Sequence, residues 1–317
     1  MARWWRAQKG ELAKDAIIGF VVGVVLFLGA CWWDAKLQAR QDELASTIAN
    51  RQDGLARDLA NQAEVLENTR FVRQLATSDG GAPKPFASIN LHGAELGGLN
   101  LECADTTHHR GCADFSQADL GEANLRSTRL GGADFIEADL HQATLDMAEF
   151  SGAILYSANL NGVTTGTSAS AEFSRAQMHM VTLVGAQLDH NNFARADFTS
   201  GNADNAALSW ADFHRADLRG SSFKHADLRH ARFSRANMAH VDLTSADLRG
   251  ANFTRADLRK AIFTDICFDA TTKWGSNTPQ RVPPANRAGH TLSGSWPSSA
   301  ADAPGIPYTR TLRRTPH

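Results

Sequence analysis

The chain has 317 residues, enough for two domains on the usual prior, and its 32 Lys or Arg against 34 Asp or Glu leave a net charge of −2. So even a balance argues against a general nucleic-acid binder, which carries a basic excess. Composition changes sharply along the chain, and each stretch is read by itself.

Residues 1–15 form a basic N-terminal tail carrying Arg3, Arg6, Lys9 and Lys14. Residues 16–33 (AIIGFVVGVVLFLGACWW) hold no charge over 18 positions, the length expected of a transmembrane helix. Trp4-Trp5 and Trp32-Trp33 flank the run, as interfacial aromatics do. A buried core helix would need a partner surface, and no neighbouring pattern offers one. Two further readings stay open. The basic tail and apolar run also suit a cleaved signal peptide, and Leu28-Gly29-Ala30-Cys31 is similar to the box before a lipidated bacterial cysteine. The apolar run continues through Cys31 into Trp32 and Trp33, which favours an uncleaved anchor.

Residues 34–77 lack proline and contain a direct repeat, RQDELASTIAN at 40–50 and RQDGLARDLAN at 51–61. Leu37, Leu44, Ile48, Leu55, Leu59 and Leu66 are spaced 7, 4, 7, 4, 7. That 11-residue period favours a straight or slightly right-handed coiled coil, here a stalk of about 65 Å. The stripe is narrow, so a homo-oligomer through the stalk is expected to bury it. Gly54 weakens the helix locally. Residues 78–85 then read as a linker, rich in Gly and Pro.

From 86 to 274 a five-residue phrase repeats: a small residue, usually an acid or amide, then Leu, Phe or Met, then two mostly polar positions. Ala216-Asp217-Leu218-Arg219-Gly220 is one copy. A helix turning about 100° per residue would smear the large residues around its cylinder. A flat strand would put them alternately on both faces. A backbone that bends after every five residues buries them all. Phe173, Phe193, Phe213, Phe233 and Phe253 recur every 20 residues inside Phe-x-Arg-Ala, so four sides make one coil. Stacked coils then form a solenoid in which each coil buries its apolar face against its neighbours.

Breaks are expected at about Asp105 to Cys112, with 19 residues from Leu96 to Phe115, and at Val163 to Ser170, with 18 from Leu155 to Phe173. Trp274 is expected to lid the last coil. Residues 275–317 hold seven of the nine prolines and read as a disordered tail.

The runs ADLRG, ADLRH, ADLRG and ADLRK, within residues 216–260, resemble the pentapeptide-repeat family, and the resemblance covers roughly residues 86–274. It implies a β-solenoid, specifically a right-handed four-sided β-helix. It implies less about function: the best-understood members are similar to a DNA rod with a strongly acidic surface that engages DNA gyrase.

Catalysis needs converging groups of different kinds, whereas a solenoid presents parallel columns over an apolar interior. No nucleophile elbow, phosphate loop or nucleotide fingerprint is present. An enzyme is not expected, nor is a cofactor or a metal. In the first break, Cys103, His108, His109, Arg110 and Cys112 match no strong zinc spacing. A Cys103–Cys112 disulfide pinning a loop is the favoured reading, and Cys31 and Cys267 are expected to stay unpaired. The Asp or Asn before each large residue suits a local bond to a backbone amide at the bend.

Charge separates the two function classes. Residues 86–170 carry 11 acids and 3 Lys or Arg, and residues 171–274 carry 12 acids and 13 Lys or Arg. Only the first part resembles an acidic DNA rod. The leading expectation is therefore a non-enzymatic, membrane-tethered scaffold that displays the repeat to a protein partner. The alternative is a cytoplasmic DNA-mimic modulator of gyrase. Four basic residues precede the membrane run and three follow it within 20 residues (Lys36, Arg40, Arg51), favouring the N-terminus inside and the repeat outside the cytoplasm. Arg175, Arg195, Arg215, Arg235 and Arg255 form one column at the 20-residue period. Its plain reading is a solvated face whose Arg stems cover the Phe column. Its functional reading is a site for an acidic partner.

Overall fold

In the computed structural model of the chain, the described residues are 2–77, 84–103, 112–166, 169–274 and 290–292, without the side chains of 2–18, 31 and 290–292. The chain divides into two units, Met1–Ala63 and Glu64–His317.

The described residues of the first unit are all helical, part of α1 (Ala2–Ala76). Tail, apolar run and stalk are thus one uninterrupted helix, and Gly54 does not break it. By length and composition this helix can cross a membrane. The leucine stripe lies exposed, with Leu44 and Leu59 62% and 65% accessible. The side chain of Cys31, on which the lipoprotein reading turns, lies outside the described residues.

The second unit begins with the end of α1, and here the stalk reading needs a correction. Residues 64–76 do not continue a free stalk; they close the solenoid. Val72 is fully buried, and Val65, Leu75 and Ala76 pack on the same core. Phe71 meets Phe86 edge-on at 5.8 Å. The hydrogen bonds explain why a helix is needed. In the coil stack, the amide of each large residue donates to a carbonyl of the following coil, as Leu91 N does to Asp119 O at 2.7 Å. No coil precedes the first, so its matching carbonyls lack these donors. Asn68 Nδ2 supplies one to Asn90 O at 2.9 Å, and Arg73 Nη2 another to Glu95 O at 2.6 Å. The helix end thus covers the edge that would otherwise recruit another chain.

The coils start at β1 (Lys84–Pro85), two residues before the expected boundary, and β1 pairs in parallel with β2 (Ala113–Asp114). Most sides are too short to count as strands and appear as single parallel bridges: Asp119↔Asp139, Asn124↔Thr144, Arg129↔Glu149, Asp134↔Ile154. Four bridges per 20 residues make each coil four-sided.

Each corner is a β-turn. The amide after the turn bonds back to the carbonyl of the large residue, as Ala216 N does to Phe213 O at 3.0 Å. The last turn residue adopts a left-handed φ near +60° at Arg175, Arg195, Arg215 and many equivalents, only some of them glycine. That conformation costs a non-glycine residue about 1–2 kcal/mol, so burial on both sides of the turn must exceed it. Inward, the Ala and large positions are almost fully buried. One aromatic column runs from Phe150 through Phe173, Phe193, Phe213, Phe233 and Phe253 to Trp274, with centroids 4.9–5.2 Å apart.

The same column corrects the register at the breaks. Phe173 stacks on Phe150, not on Leu155, because Glu149 pairs with Glu172. These partners lie 23 residues apart, so the second break is a three-residue insertion. Likewise Asn100 pairs with Arg129, making the first a nine-residue insertion. Spacing between large residues cannot reveal this, since any of four faces can receive the next one.

At the far end Trp274 stacks on Phe253 and meets Phe263 and Phe268 edge-on, as a lid should. The tail differs from its expected disorder at one place: β4 (His290–Leu292) pairs antiparallel with β3 (Ile266–Phe268). The rest of the tail lies outside the described residues, as do residues 78–83 of the linker.

Candidate functional site

The outward chemistry of the solenoid follows from its turn. The residue before each large one accepts an amide two positions on: Asp212 Oδ1 from His214 N at 2.9 Å, Asn192 Oδ1 from Ala194 N at 2.9 Å. This local bond is why short acids and amides dominate there. It also decides which arginines are free. In Asp-Leu-Arg the guanidinium folds back onto the same carboxylate: Arg219 on Asp217, Arg229 on Asp227, Arg249 on Asp247 and Arg259 on Asp257, at 2.5–2.8 Å.

The five arginines of Phe-x-Arg-Ala sit one position later, at the left-handed residue, and all are exposed. The amides of Arg175, Arg195, Arg215 and Arg235 each bond to the next coil, Arg175 to Ala194 O through Arg235 to Thr254 O, which sets the column along one corner. Among the described residues no ion pair engages their side chains. Asp217 and Asp257, two residues after Arg215 and Arg255, are taken by Arg219 and Arg259. The corner is thus a column of uncompensated planar donors suited to carboxylates or phosphates.

Sequence reasoning missed the neighbouring corner. His190, Trp210 and His230 occupy its left-handed position, with Trp210 6.0 Å from His190 and 4.2 Å from His230, rings near parallel. Trp210 remains 53% exposed. Their 20-residue period, two positions after Leu188, Leu208 and Leu228, was the available signal. Between these corners, Asp212 is the acid of the middle coils, and it pairs with Arg232 at 3.4 Å.

Cys103 and Cys112 are joined in a disulfide, and the intervening residues, with His108, His109 and Arg110, lie outside the described ones. Cys267 is a free thiol pushed up in pKa by burial. Among the described residues no three His, Cys, Asp or Glu converge as metal ligands.

One titration follows from the Asp-Arg forks. The Arg259 hydrogen bond holds the Asp257 carboxyl below its usual value, against burial that raises it. A carboxyl lowered in the fold contributes stability above its unfolded pKa and loses it as pH falls through the folded value. Asp257→Asn keeps the turn acceptor and removes the fork. It should therefore flatten the decline in melting temperature between about pH 4 and pH 2, and only slightly, because water screens so exposed a pair.

Comparison with known proteins bears on the repeat alone. The family model described as pentapeptide repeats matches eight copies, over residues 113–148, 133–164, 192–229, 206–250 and 236–272. No curated protein matches the chain. Among solved structures, a pentapeptide repeat protein from the thylakoid lumen of Arabidopsis thaliana is 33% identical over 30% of this chain and 69% of its own, with a TM-score of 0.26. HetL of Nostoc sp. strain PCC 7120, described as involved in heterocyst differentiation regulation, is 29% identical over 58% of this chain and 85% of its own, with a TM-score of 0.27. A trypsin-treated form of QnrB1, described as a plasmid-mediated fluoroquinolone resistance protein, is 24% identical over 51% of this chain and 76% of its own, with a TM-score of 0.44. The family match and the bridge-by-bridge repeat agree on one statement: this chain belongs to the pentapeptide-repeat family.

Proposed function

We propose that the protein is a non-enzymatic, membrane-tethered scaffold that presents its solenoid outside the cytoplasm to an acidic protein partner. The observation that carries this reading is the Arg175, Arg195, Arg215, Arg235 and Arg255 corner, where five exposed arginines line up without an ion pair among the described residues while neighbouring arginines are paired. Like charges so stacked repel one another, and an anionic partner relieves that repulsion.

The tether is supported by an N-terminal helix whose most apolar window has a mean hydropathy of 1.7. The exposed stripe of Leu37, Leu44, Ile48, Leu55 and Leu59 supports self-association of the stalk. The basic excess before the apolar run and the Cys103–Cys112 pairing support an oxidising compartment for the solenoid.

Replacing Arg195, Arg215 and Arg235 together by Gln tests the site. The variant is expected to fold normally and to lose a partner captured by crosslinking in membranes. An unchanged set of crosslinked proteins would return the corner to a solvated face. The acidic coils 86–170 favour the gyrase reading in part, and inhibition of gyrase supercoiling by the protein would decide for it. Protease protection of the solenoid in intact cells, with both loop thiols free, would reverse the orientation.

A further inference from the structure

A different face, centred on Leu91, Leu120 and Leu140, carries chemistry that the Arg corner does not use. The position after each large residue is His92, Gly121 and His141 in successive coils, whose neighbours pair Asn90↔Asp119 and Asp119↔Asp139. The glycine leaves a gap, and both imidazoles lean into it with centroids 5.7 Å apart and planes at 36°. A Cβ on Gly121 would lie 2.3 Å from His141 Cε1 and 2.8 Å from His92 Nδ1. Its φ is not positive, so what glycine supplies here is room for the two rings and not backbone freedom. Equivalent positions elsewhere hold Ser116, Ile136 or Ala194.

Each ring also has a carboxylate. Asp139 Oδ1 lies 3.0 Å from His141 Nδ1, and Asp119 Oδ1 lies 3.4 Å from His92 Nδ1. Both acids are held in place, Asp119 by the Gly121 amide, Asp139 by the His141 amide and Asn159 Nδ2. An ionised carboxylate only accepts, so it selects the Nδ1–H tautomer and leaves the lone pair on Nε2. Paired imidazoles oriented by carboxylates are the arrangement that transition-metal sites use to fix their histidines.

We propose that His92 and His141 form a two-histidine site for a divalent transition cation of the zinc, nickel or copper class, with Asp119 and Asp139 orienting the rings. Imidazole suits these ions and not magnesium or calcium. No third His, Cys, Asp or Glu completes the set among the described residues, so water fills the other positions. Bound there, the ion ties the first coil to the third and stabilises the N-terminal end of the solenoid by mass action.

The test is a zinc titration of the metal-free, full-length protein in detergent at neutral pH, by calorimetry and thermal melting. One ion per chain is expected at this site, with a higher melting temperature when it is filled and weaker binding at acidic pH as protons compete. His92→Gln and His141→Gln should each reduce affinity about tenfold or more, on the scale seen when a metal site's support is removed. Gly121→Ala is the sharper variant, because alanine occupies the same position at Ala194. It should melt like the wild type without zinc, yet bind zinc weakly because its methyl displaces the rings. His108→Gln with His109→Gln should leave the site intact. Equal stoichiometry and affinity in the wild type and the His92→Gln, His141→Gln double variant would overturn the proposal, as would loss confined to the His108, His109 variant.

Discussion

Phe213→Asp is expected to unfold the coils around residue 213, whereas His214→Asp, one position along, should shift the melting temperature by no more than about 2 °C. Phe213 is 1% exposed and sits between Phe193 at 4.9 Å and Phe233 at 5.2 Å, with Phe223 against its edge. Removing such a ring costs about 3–5 kcal/mol, and burying an unpaired charge in its place adds to that. His214 points outward, with Nδ1 2.8 Å from Ser234 Oγ. Losing that bond costs about 1 kcal/mol or less at the surface. Because each coil rests only on its neighbours, the damage should be local. Hydrogen exchange should rise first in coils 193–253 and later in coils 113–152. Equal effects of the two substitutions would sink the inward and outward assignment.

The helix end offers the second large effect. Val72→Asp should open the N-terminal coil, because Val72 is fully buried where α1 meets Leu91 and its neighbours in one core. A buried aliphatic side chain contributes about 1.5–3 kcal/mol, and an unpaired buried carboxylate costs more. Leu66→Asp, on an exposed leucine six residues earlier, is the control and should do little. Removing Asn68 and Arg73 side chains together should expose the Asn90 and Glu95 carbonyls, which those side chains now satisfy. The readouts are amide exchange at residues 84–103 and association of the opened edge, since unpaired strand edges recruit other chains. Protection equal to the wild type in Val72→Asp would show that the coils need no helical cap.

The sequence shows two kinds of error around this cap. Leu37 to Leu66 obey an 11-residue period, and that period made 34–77 look like one free stalk. Periodicity reports which face of a helix is apolar and says nothing about what covers it. Only the folded chain shows that Val65 and Val72 rest on the coils while Leu55 and Leu59 stay bare. The disulfide pairing was readable from two cysteines nine residues apart at a break, because a short loop leaves few partners. The His92 and His141 pair was not, since 49 residues separate them and the nine-residue insertion hides their shared face.

What the sequence by itself determined is the direction of every side chain within the repeat. A five-residue phrase with one large apolar residue has a single economical solution, four bends per coil with that residue inside, and each turn then dictates an acid or amide before it. The aromatic column, the Asx bonds and the Arg corner all follow from that local rule. What only the tertiary structure decided is which coil neighbours which across the breaks, and which charges are already spent. Register is set by backbone bridges between strands far apart in sequence, so Phe173 falls on Phe150 and not on Leu155. Pairing is set by the direction a side chain takes from its turn. Arg219 at the first turn position folds onto Asp217, while Arg215 at the left-handed position stays exposed and has no ion pair among the described residues.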